Sequence, residues 1–191
     1  MTPLEIAELV AVVMAVAYLL LAIRQNIWCW FCAGVSTAIY VWLTIVAKLY
    51  MDTALQVFYF AMAMYGWYVW TSGRREGHEK AVVVWPVSTH AIALTAVAVI
   101  GGVNGYLLDT RTDAAFPYLD ALTTWAAVWA TFLVARKVLE NWWYWLVIDA
   151  VYVFLYWSRD LEWTAGLFVF YIVLVPIGLI SWSRSMRGQT A

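Results

Sequence analysis

Long apolar runs separated by short polar clusters follow one another along the whole chain. Most runs end close to a charged residue, as at Arg24, Lys48 and Arg136. About 20 consecutive apolar residues in a helix span the hydrocarbon core of a bilayer. The pattern therefore predicts an all-α integral membrane protein with seven transmembrane helices, over about 4–23, 27–47, 50–70, 81–106, 115–135, 141–157 and 161–182.

The composition agrees with this interpretation. Of the 191 residues, 65% are hydrophobic and 12% are charged, whereas a soluble domain carries about 25% charged residues. The first run has no basic segment before it and no small-residue cleavage site after it, so we expect it to be retained rather than removed as a signal peptide. No phosphate-binding glycine loop or nucleic-acid-binding patch is evident, and no cofactor is expected.

Basic residues fall unevenly on the two sides of a seven-helix alternation. One side carries only Lys48, Arg111 and Arg159. The other side carries Arg24, Arg74, Arg75, Lys80, Arg136, Lys137, Arg184 and Arg187. Short cytoplasmic loops are enriched in lysine and arginine, so this bias predicts an outside N-terminus and a cytoplasmic C-terminus.

The first three runs and the last three share a sequence pattern. The Asn-x-Trp-x-Trp segment that ends at Trp30 matches the one that ends at Trp145. Further on, six residues between 55 and 70 match six between 167 and 182, and the separation between these matches is three residues shorter than that between the two Asn-x-Trp-x-Trp segments. Because one run separates the two triplets, both have the same orientation. The sequence thus predicts two parallel three-helix repeats joined by a linker helix, as in the SWEET transporters, which place the substrate between the repeats.

This repeat sets the expected domain organisation. We expect a first three-helix repeat with its cytoplasmic loop over 1–80, a linker helix over 81–110, and a second repeat with a cytoplasmic tail over 111–191.

The sixth run carries an unusual set of polar and aromatic residues. Asn141, Trp145, Asp149 and Tyr152 are spaced by four, four and three residues, so they share one face of an α-helix. Asp149 lies roughly 12 Å from the helix start at 1.5 Å per residue. A carboxylate at that depth is costly against lipid, so we expect it to face a cavity or a partner. This face is predicted to belong to a substrate site.

The second and third runs add candidates of the same chemical kinds. One face of the second run carries Asn26, Trp30 and Thr37, with Gly34 at the position assigned to Asp149. Aromatic walls and a carboxylate suit a flat, cationic ring, and amides and hydroxyls suit a sugar or a carboxamide. The predicted substrate-binding residues are Gln56, Trp67, Trp70, Asn141, Trp145, Asp149, Asn26, Trp30, Thr37 and Tyr152.

Simpler roles compete for several of these residues. Tryptophans such as Trp70 also anchor helices at membrane interfaces. Asn26 and Asn141 could cap helix starts, and Thr37 could bond to backbone or to a neighbouring helix.

Cys29 and Cys32 form a C-x-x-C, but no further thiol pair accompanies them, and His78 and His90 are not in a ligand pattern. Plain packing is the favoured interpretation and no metal site is expected. An integral-membrane thiol oxidoreductase is the less favoured alternative.

Three motifs together resemble the PnuC-type vitamin transporters over roughly 5–184. They are Asn141-x-x-x-Trp145-x-x-x-Asp149, the segment 56–70 that ends in Trp67-x-x-Trp70, and Asn26-x-x-x-Trp30. The resemblance implies a homotrimeric transporter of the bacterial inner membrane rather than an enzyme. It implies uptake of nicotinamide riboside by facilitated diffusion, without ATP or a coupling ion, followed by trapping through a separate cytoplasmic kinase. Some members of the family look specific for thiamine or other vitamins, and that alternative stays open.

Overall fold

The computed structural model describes residues 2–46, 50–75, 80–112, 116–158 and 162–189. Apart from one isolated bridge between Val83 and Val138, the regular secondary structure of these residues is helical. The seven helices are α1 (Pro3–Ile23), α2 (Trp28–Val46), α3 (Tyr50–Arg75), α4 (Val87–Arg111), α5 (Pro117–Ala135), α6 (Asn141–Trp157) and α7 (Glu162–Gln189). The all-α prediction is confirmed.

Within the described ranges, five helices are long and apolar enough to cross a membrane by length and composition alone. They are α1, α2, α4, α5 and the part of α7 from Thr164 to Gly188. Helix α6 has 17 residues and is therefore about 26 Å long, slightly shorter than a hydrocarbon core of about 30 Å.

Four predicted boundaries were wrong. Helix α4 begins at Val87 and not at 81, because Pro86 is its extended N-cap residue and proline disfavours helix in the residue before it. Three helices also continue past the ends predicted near 70, 106 and 182: α3 to Arg75, α4 to Arg111 and α7 to Gln189. Lys48 and Arg159, two basic residues of the topology tally, lie outside the described residues.

The chain divides into two compact units, Met1–Ala81 with Arg184–Ala191, and Val82–Ser183. In the first unit, α2 packs against both α1 and α3. A buried hydrogen bond of 2.9 Å, donated by the Ser36 hydroxyl to the Ala11 carbonyl, joins α1 to α2.

In the second unit, α5 packs against both α4 and α6. The approach of α4 to α5 depends on small residues. A Cβ atom on Gly101 would lie 2.7 Å from Leu122, and one on Gly105 would lie 2.7 Å from Tyr118. The segment before α4 also pairs with the α5–α6 connection, since the Val83 amide donates to the Lys137 carbonyl at 3.0 Å.

Helices α1 and α5 end in the same turn. Gln25 follows α1 with a φ of 53°, and Lys137 follows α5 with a φ of 56°. Each donates its amide to a carbonyl three residues back, and the next residue reaches the carbonyl five residues back, at Leu21 and Leu133 respectively. This is the Schellman motif, here without the glycine that usually supplies the left-handed residue.

A tryptophan–glycine contact also occurs once in each unit. In the first unit, Trp30 covers Gly66 and meets Trp70 edge-on, with ring centroids 5.6 Å apart. The equivalent trio in the second unit is Trp142, Gly178 and Trp182, whose two indoles also lie 5.6 Å apart. The separation along the chain from each member to its counterpart is the same as that from Gln25 to Lys137.

These contacts correct the register of the repeat. Trp30 is equivalent to Trp142, so its predicted match with Trp145 was wrong by three residues. When this constant separation is applied to α6, Thr37 and not Gly34 is the counterpart of Asp149. The likeness of the repeat to the SWEET transporters stays a prediction.

Candidate functional site

The predicted polar face of α6 lies in regular helix from Asn141 to Trp157, as expected. Asn141 is fully buried and Asp149 is 4% exposed, while Trp145 and Tyr152 are half-buried. Because the four residues occupy one side of a single helix, their arrangement is fixed by the helix itself.

Asp149 is the most unusual of these residues. Its side chain is buried in the middle of an apolar helix, and no hydrogen bond or ion pair joins it to another residue in the described ranges. Burying an unpaired carboxylate costs several kcal/mol. A group retained at such a cost in a transmembrane segment is a candidate for direct contact with a solute.

Asn141 offers a second unsatisfied polar atom. Its Nδ2 group donates to the Val138 carbonyl at 2.6 Å, whereas its Oδ1 atom is buried and has no donor among the described residues. Glu140, not Asn141, occupies the N-cap position of α6. The capping role considered for Asn141 is therefore not seen, and its carbonyl oxygen is available to accept a hydrogen bond.

Trp145 and Tyr152 pack against a small apolar cluster formed by Ala127, Ala130 and Ile148. Tyr152 also lies next to Phe168 of α7, with ring centroids 4.9 Å apart. Both aromatic rings are thus held by α5 or α7 before any solute binds.

The candidates of the first unit are arranged differently. Trp30 and Trp70 are brought together, but in the buried contact around Gly66, which accounts for their burial without a ligand. Trp67 is half-buried and meets Trp28 edge-on at 5.7 Å. Their roles as binding residues stay predictions.

In the described residues, no hydrogen bond joins the three polar candidates of this unit to one another. The Asn26 side chain accepts a hydrogen bond of 3.0 Å from the Trp28 amide and so caps the start of α2. The Thr37 hydroxyl donates to the Ala33 carbonyl at 2.8 Å, within its own helix. Gln56 is half-buried on α3.

One polar group near the start of α6 was missed. His90 of α4 lies with its Nδ1 atom 3.0 Å from the Tyr144 hydroxyl and its Nε2 atom 3.9 Å from Glu140. Since His90 belongs to a different helix, far back along the chain, no local spacing could have indicated this contact.

The opposite side of α6 is apolar. It borders a cavity of about 440 Å³ formed with α5 and α7. The cavity is lined by Leu119, Leu146, Val147, Ala150, Val151, Phe154 and Ile172. None of the predicted binding residues lines it, so α6 has a polar face on one side and an apolar face on the other.

Neither Cys29 nor Cys32 forms a disulfide bond, and Cys29 is fully buried. Among the described residues there is no group of three histidine, cysteine or acidic side chains that could hold a metal ion.

Comparison with known proteins matches almost the whole chain. A family model described as nicotinamide mononucleotide transporter matches residues 5–184. The nicotinamide riboside transporter PnuC of Escherichia coli (strain K12) is 25% identical over 171 residues, which are 74% of this chain and 70% of the relative. The riboflavin/roseoflavin transporter RibM of Streptomyces davaonensis is 28% identical over 192 residues, 96% of this chain and 87% of the relative.

The helical arrangement also has a counterpart among solved structures. The crystal structure of the vitamin B3 transporter PnuC matches with a TM-score of 0.73 at 20% sequence identity, over 95% of this chain and 82% of the other. This match shows that the two proteins share a fold.

Proposed function

Because the chain belongs to the nicotinamide mononucleotide transporter family and is therefore a multi-pass membrane transporter, we propose that it takes up nicotinamide riboside by facilitated diffusion. The substrate's own gradient drives entry, without ATP or a coupling ion. A separate cytoplasmic kinase then phosphorylates the nucleoside, which keeps its free concentration low and retains the product for NAD biosynthesis. The name of the E. coli relative supports this choice of substrate.

The buried carboxylate of Asp149, four residues from an indole and eight from an open amide oxygen, carries the proposal. Nicotinamide riboside combines a pyridinium cation, a carboxamide and a ribose. An indole face attracts a cationic ring, and carboxylate and amide oxygens accept hydrogen bonds from ribose hydroxyls. We assign Trp145 to the pyridinium, and Asn141 and Asp149 to the ribose.

We also propose Gln56, Trp67 and Trp70 as substrate-binding residues. An amide such as that of Gln56 can both donate to and accept from a carboxamide, which makes it the proposed partner of that group. The two indoles offer further faces for the ring.

We also propose that the protein is a homotrimer of the bacterial inner membrane, with its N-terminus outside and its C-terminus in the cytoplasm. The orientation follows from the excess of basic residues in alternate loops. Accessibility of single cysteines placed near each terminus, probed with an impermeant thiol reagent in cells, tests it directly.

The transport proposal is tested with purified protein in liposomes. We expect saturable uptake of labelled nicotinamide riboside that continues when proton and sodium gradients are abolished and ATP is absent. A flux that stops when an ion gradient is removed would refute uncoupled transport. The absence of any flux of nicotinamide riboside, while another vitamin enters, would refute the substrate.

Binding by titration calorimetry tests the site. Trp145→Ala is expected to weaken binding by about 1–3 kcal/mol, the value of one lost stacking contact, and Gln56→Ala by about 1–3 kcal/mol through an unpaired carboxamide. Trp143→Ala is the matched control, because Trp143 lies on the same helix but is 57% exposed. Equal affinities for the Trp145 and Trp143 variants would remove Trp145 from the site.

Riboflavin is the second candidate substrate, because the riboflavin/roseoflavin transporter aligns with 96% of this chain. Riboflavin has a large neutral ring and thiamine a smaller cationic one, so competition in the same liposomes separates the three vitamins. The negative charge of Asp149, although assigned to the ribose, also attracts a cationic ring bound beside it and gives a neutral ring no such gain.

Transport rather than catalysis is the proposed activity. A variant in which Cys29 and Cys32 are both replaced by serine is expected to transport at the wild-type rate, provided that it folds. Loss of transport in a folded variant would support a role for the thiols.

A further inference from the structure

Besides the Val83–Lys137 bond described above, three contacts join the beginning of α4 to the beginning of α6. The Leu139 amide donates to the Val83 carbonyl at 2.8 Å, and the Trp85 amide donates to Glu140 Oε1 at 3.2 Å. One turn into α4, the His90 ring lies between the Tyr144 hydroxyl and the Glu140 carboxylate. The first two contacts hold the chain before each helix, and only the third involves side chains of both.

The geometry indicates the direction of the hydrogen bond between His90 and Tyr144. The Nε2 atom of His90 lies 3.9 Å from Glu140 Oε1. A proton on Nε2 is therefore favoured by the carboxylate, which leaves Nδ1 as the acceptor for the Tyr144 hydroxyl at 3.0 Å. The two rings lie 5.7 Å apart between centroids and are inclined by 31°, so they also pack against each other.

The position of these residues on α6 relates them to the proposed site. Glu140 directly precedes Asn141, and Tyr144 directly precedes Trp145. Glu140 has helical backbone angles, so Glu140 and Tyr144 lie four residues apart on one face. The predicted binding face is the adjacent one, about 100° further round the helix axis. Fixing one face of α6 therefore fixes the direction in which the other face points.

We propose that His90 is a positioning residue for substrate binding. By bonding to Tyr144 beside Glu140, it sets the rotation of the first turns of α6 about their axis and so the direction of Asn141, Trp145 and Asp149. This inference rests on the proposed function, because it assumes that those three residues bind the transported solute. It assigns the linker helix α4 a part in affinity, although His90 itself does not touch the solute.

The test compares variants that differ in one atom or group. His90→Phe keeps a ring of similar size but removes both nitrogens, and Tyr144→Phe removes only the hydroxyl. In His90→Asn, the amide oxygen replaces Nδ1 as an acceptor. Thr95→Ala is the control on α4, because the Thr95 hydroxyl donates only to the Ala91 carbonyl of its own helix at 2.9 Å and is exposed.

Each variant is assayed in liposomes for the KM and the maximal flux of nicotinamide riboside, and in detergent for its Tm. We expect His90→Phe and Tyr144→Phe each to raise KM by about three- to tenfold, the equivalent of one hydrogen bond, with maximal flux within about twofold of wild type. The KM of the double variant is expected to be no higher than the higher of the two single-variant KM values, because both changes remove the same bond. His90→Asn should stay within about twofold of the wild-type KM.

A purely structural role would give a different result. In that case His90→Phe would lower the Tm while the KM stayed at the wild-type value, and the proposal would be overturned. Equal KM values for His90→Phe and His90→Asn would overturn it as well. Should His90→Phe not fold, Tyr144→Phe and His90→Asn still decide the question. Failure of the wild-type protein to transport nicotinamide riboside would instead refute the proposed function itself.

Discussion

Replacing Gly178 by alanine tests whether the tryptophan–glycine contact holds the second unit together. A Cβ atom at this position would lie 2.3 to 2.5 Å from three carbon atoms of the Trp142 indole. Carbon atoms in contact are normally 3.5–4.0 Å apart, so helix and ring would have to separate by more than 1 Å. Trp142 cannot move freely, because it is 2% exposed and is held edge-on by Trp182.

The expected cost follows from this overlap. Forcing an extra methyl group into a packed core costs about 1–3 kcal/mol, occasionally more. For a chain of this size, each kcal/mol lowers the Tm by about 2–4 °C. We therefore expect Gly178→Ala to lower the Tm in detergent by about 3–10 °C, measured by intrinsic fluorescence during heating.

Gly166 provides a matched control on the same helix. No atom lies within 4 Å of a Cβ built there, so Gly166→Ala should raise the Tm slightly, since alanine is the better helix former by about 1 kcal/mol. Gly66→Ala should behave like Gly178→Ala, because Trp30 lies just as close to Gly66. Equal Tm values for the Gly178 and Gly166 variants would refute the packing argument.

Three further predictions concern charge, an interhelical bond and backbone strain. Asp149→Asn keeps the shape of the side chain but removes its charge and so its Coulomb attraction for a cationic ring. We therefore expect the Kd for nicotinamide riboside, measured by titration calorimetry, to rise about tenfold or more, while the Kd for neutral riboflavin changes less. Equal changes would exclude a charge effect. Ser36→Ala removes the buried hydrogen bond to the Ala11 carbonyl. We expect it to lower the free energy of unfolding by about 0.6–1 kcal/mol, the usual value of such a bond between membrane helices, and an unchanged Tm would contradict this. Gln25→Gly should raise the Tm, because a left-handed residue at φ 53° costs about 1–2 kcal/mol when it carries a Cβ. Arg24→Gly is the control and should lower the Tm, because Arg24 has a φ of −84° and needs no glycine.

The helix boundaries were predictable wherever the apolar run alone decides them. Helix α6 occupies the predicted 141–157 because polar residues bound its apolar run on both sides. At α4 the apolar residues Val82 to Trp85 continued the pattern, yet Val83 is extended and pairs with Lys137 and Leu139. That pairing joins a segment before α4 to a segment after α5. The local pattern of apolar and polar residues cannot predict a contact between segments so far apart in the sequence.

The register of the repeat shows a second limit of sequence comparison. The first segment carries two tryptophans and the second carries three, so more than one alignment is possible, and the one with more identical residue types placed Trp30 opposite Trp145. The backbone decides otherwise, because the left-handed residues Gln25 and Lys137 fix where each second helix begins. Neither is a glycine, so the turn leaves little trace in the residue types.

Only part of the candidate site was predictable from the sequence. Spacing alone placed Asn141, Trp145 and Asp149 on one face, because that relation depends only on the helix. Whether an asparagine caps a helix or is buried with an open oxygen depends on where it stands after the left-handed residue of the turn, directly after it for Asn26 and four residues after it for Asn141. Asn26 and Asn141 take different roles although both stand near the beginning of a helix.

The corrected register distinguishes positions that pack the helices of each unit from positions on the proposed binding face. At the scaffold positions the two units carry the same residues, Trp30 with Trp142 and Gly66 with Gly178, because the packed volume there allows little else. At the three positions of the proposed binding face they differ. Asn141, Trp145 and Asp149 stand where the first unit has Cys29, Ala33 and Thr37. Since one three-helix scaffold folds with either set, packing does not require the polar face of α6. An acid and an open amide at positions where packing does not require them are what the proposed binding of a solute by this face would need.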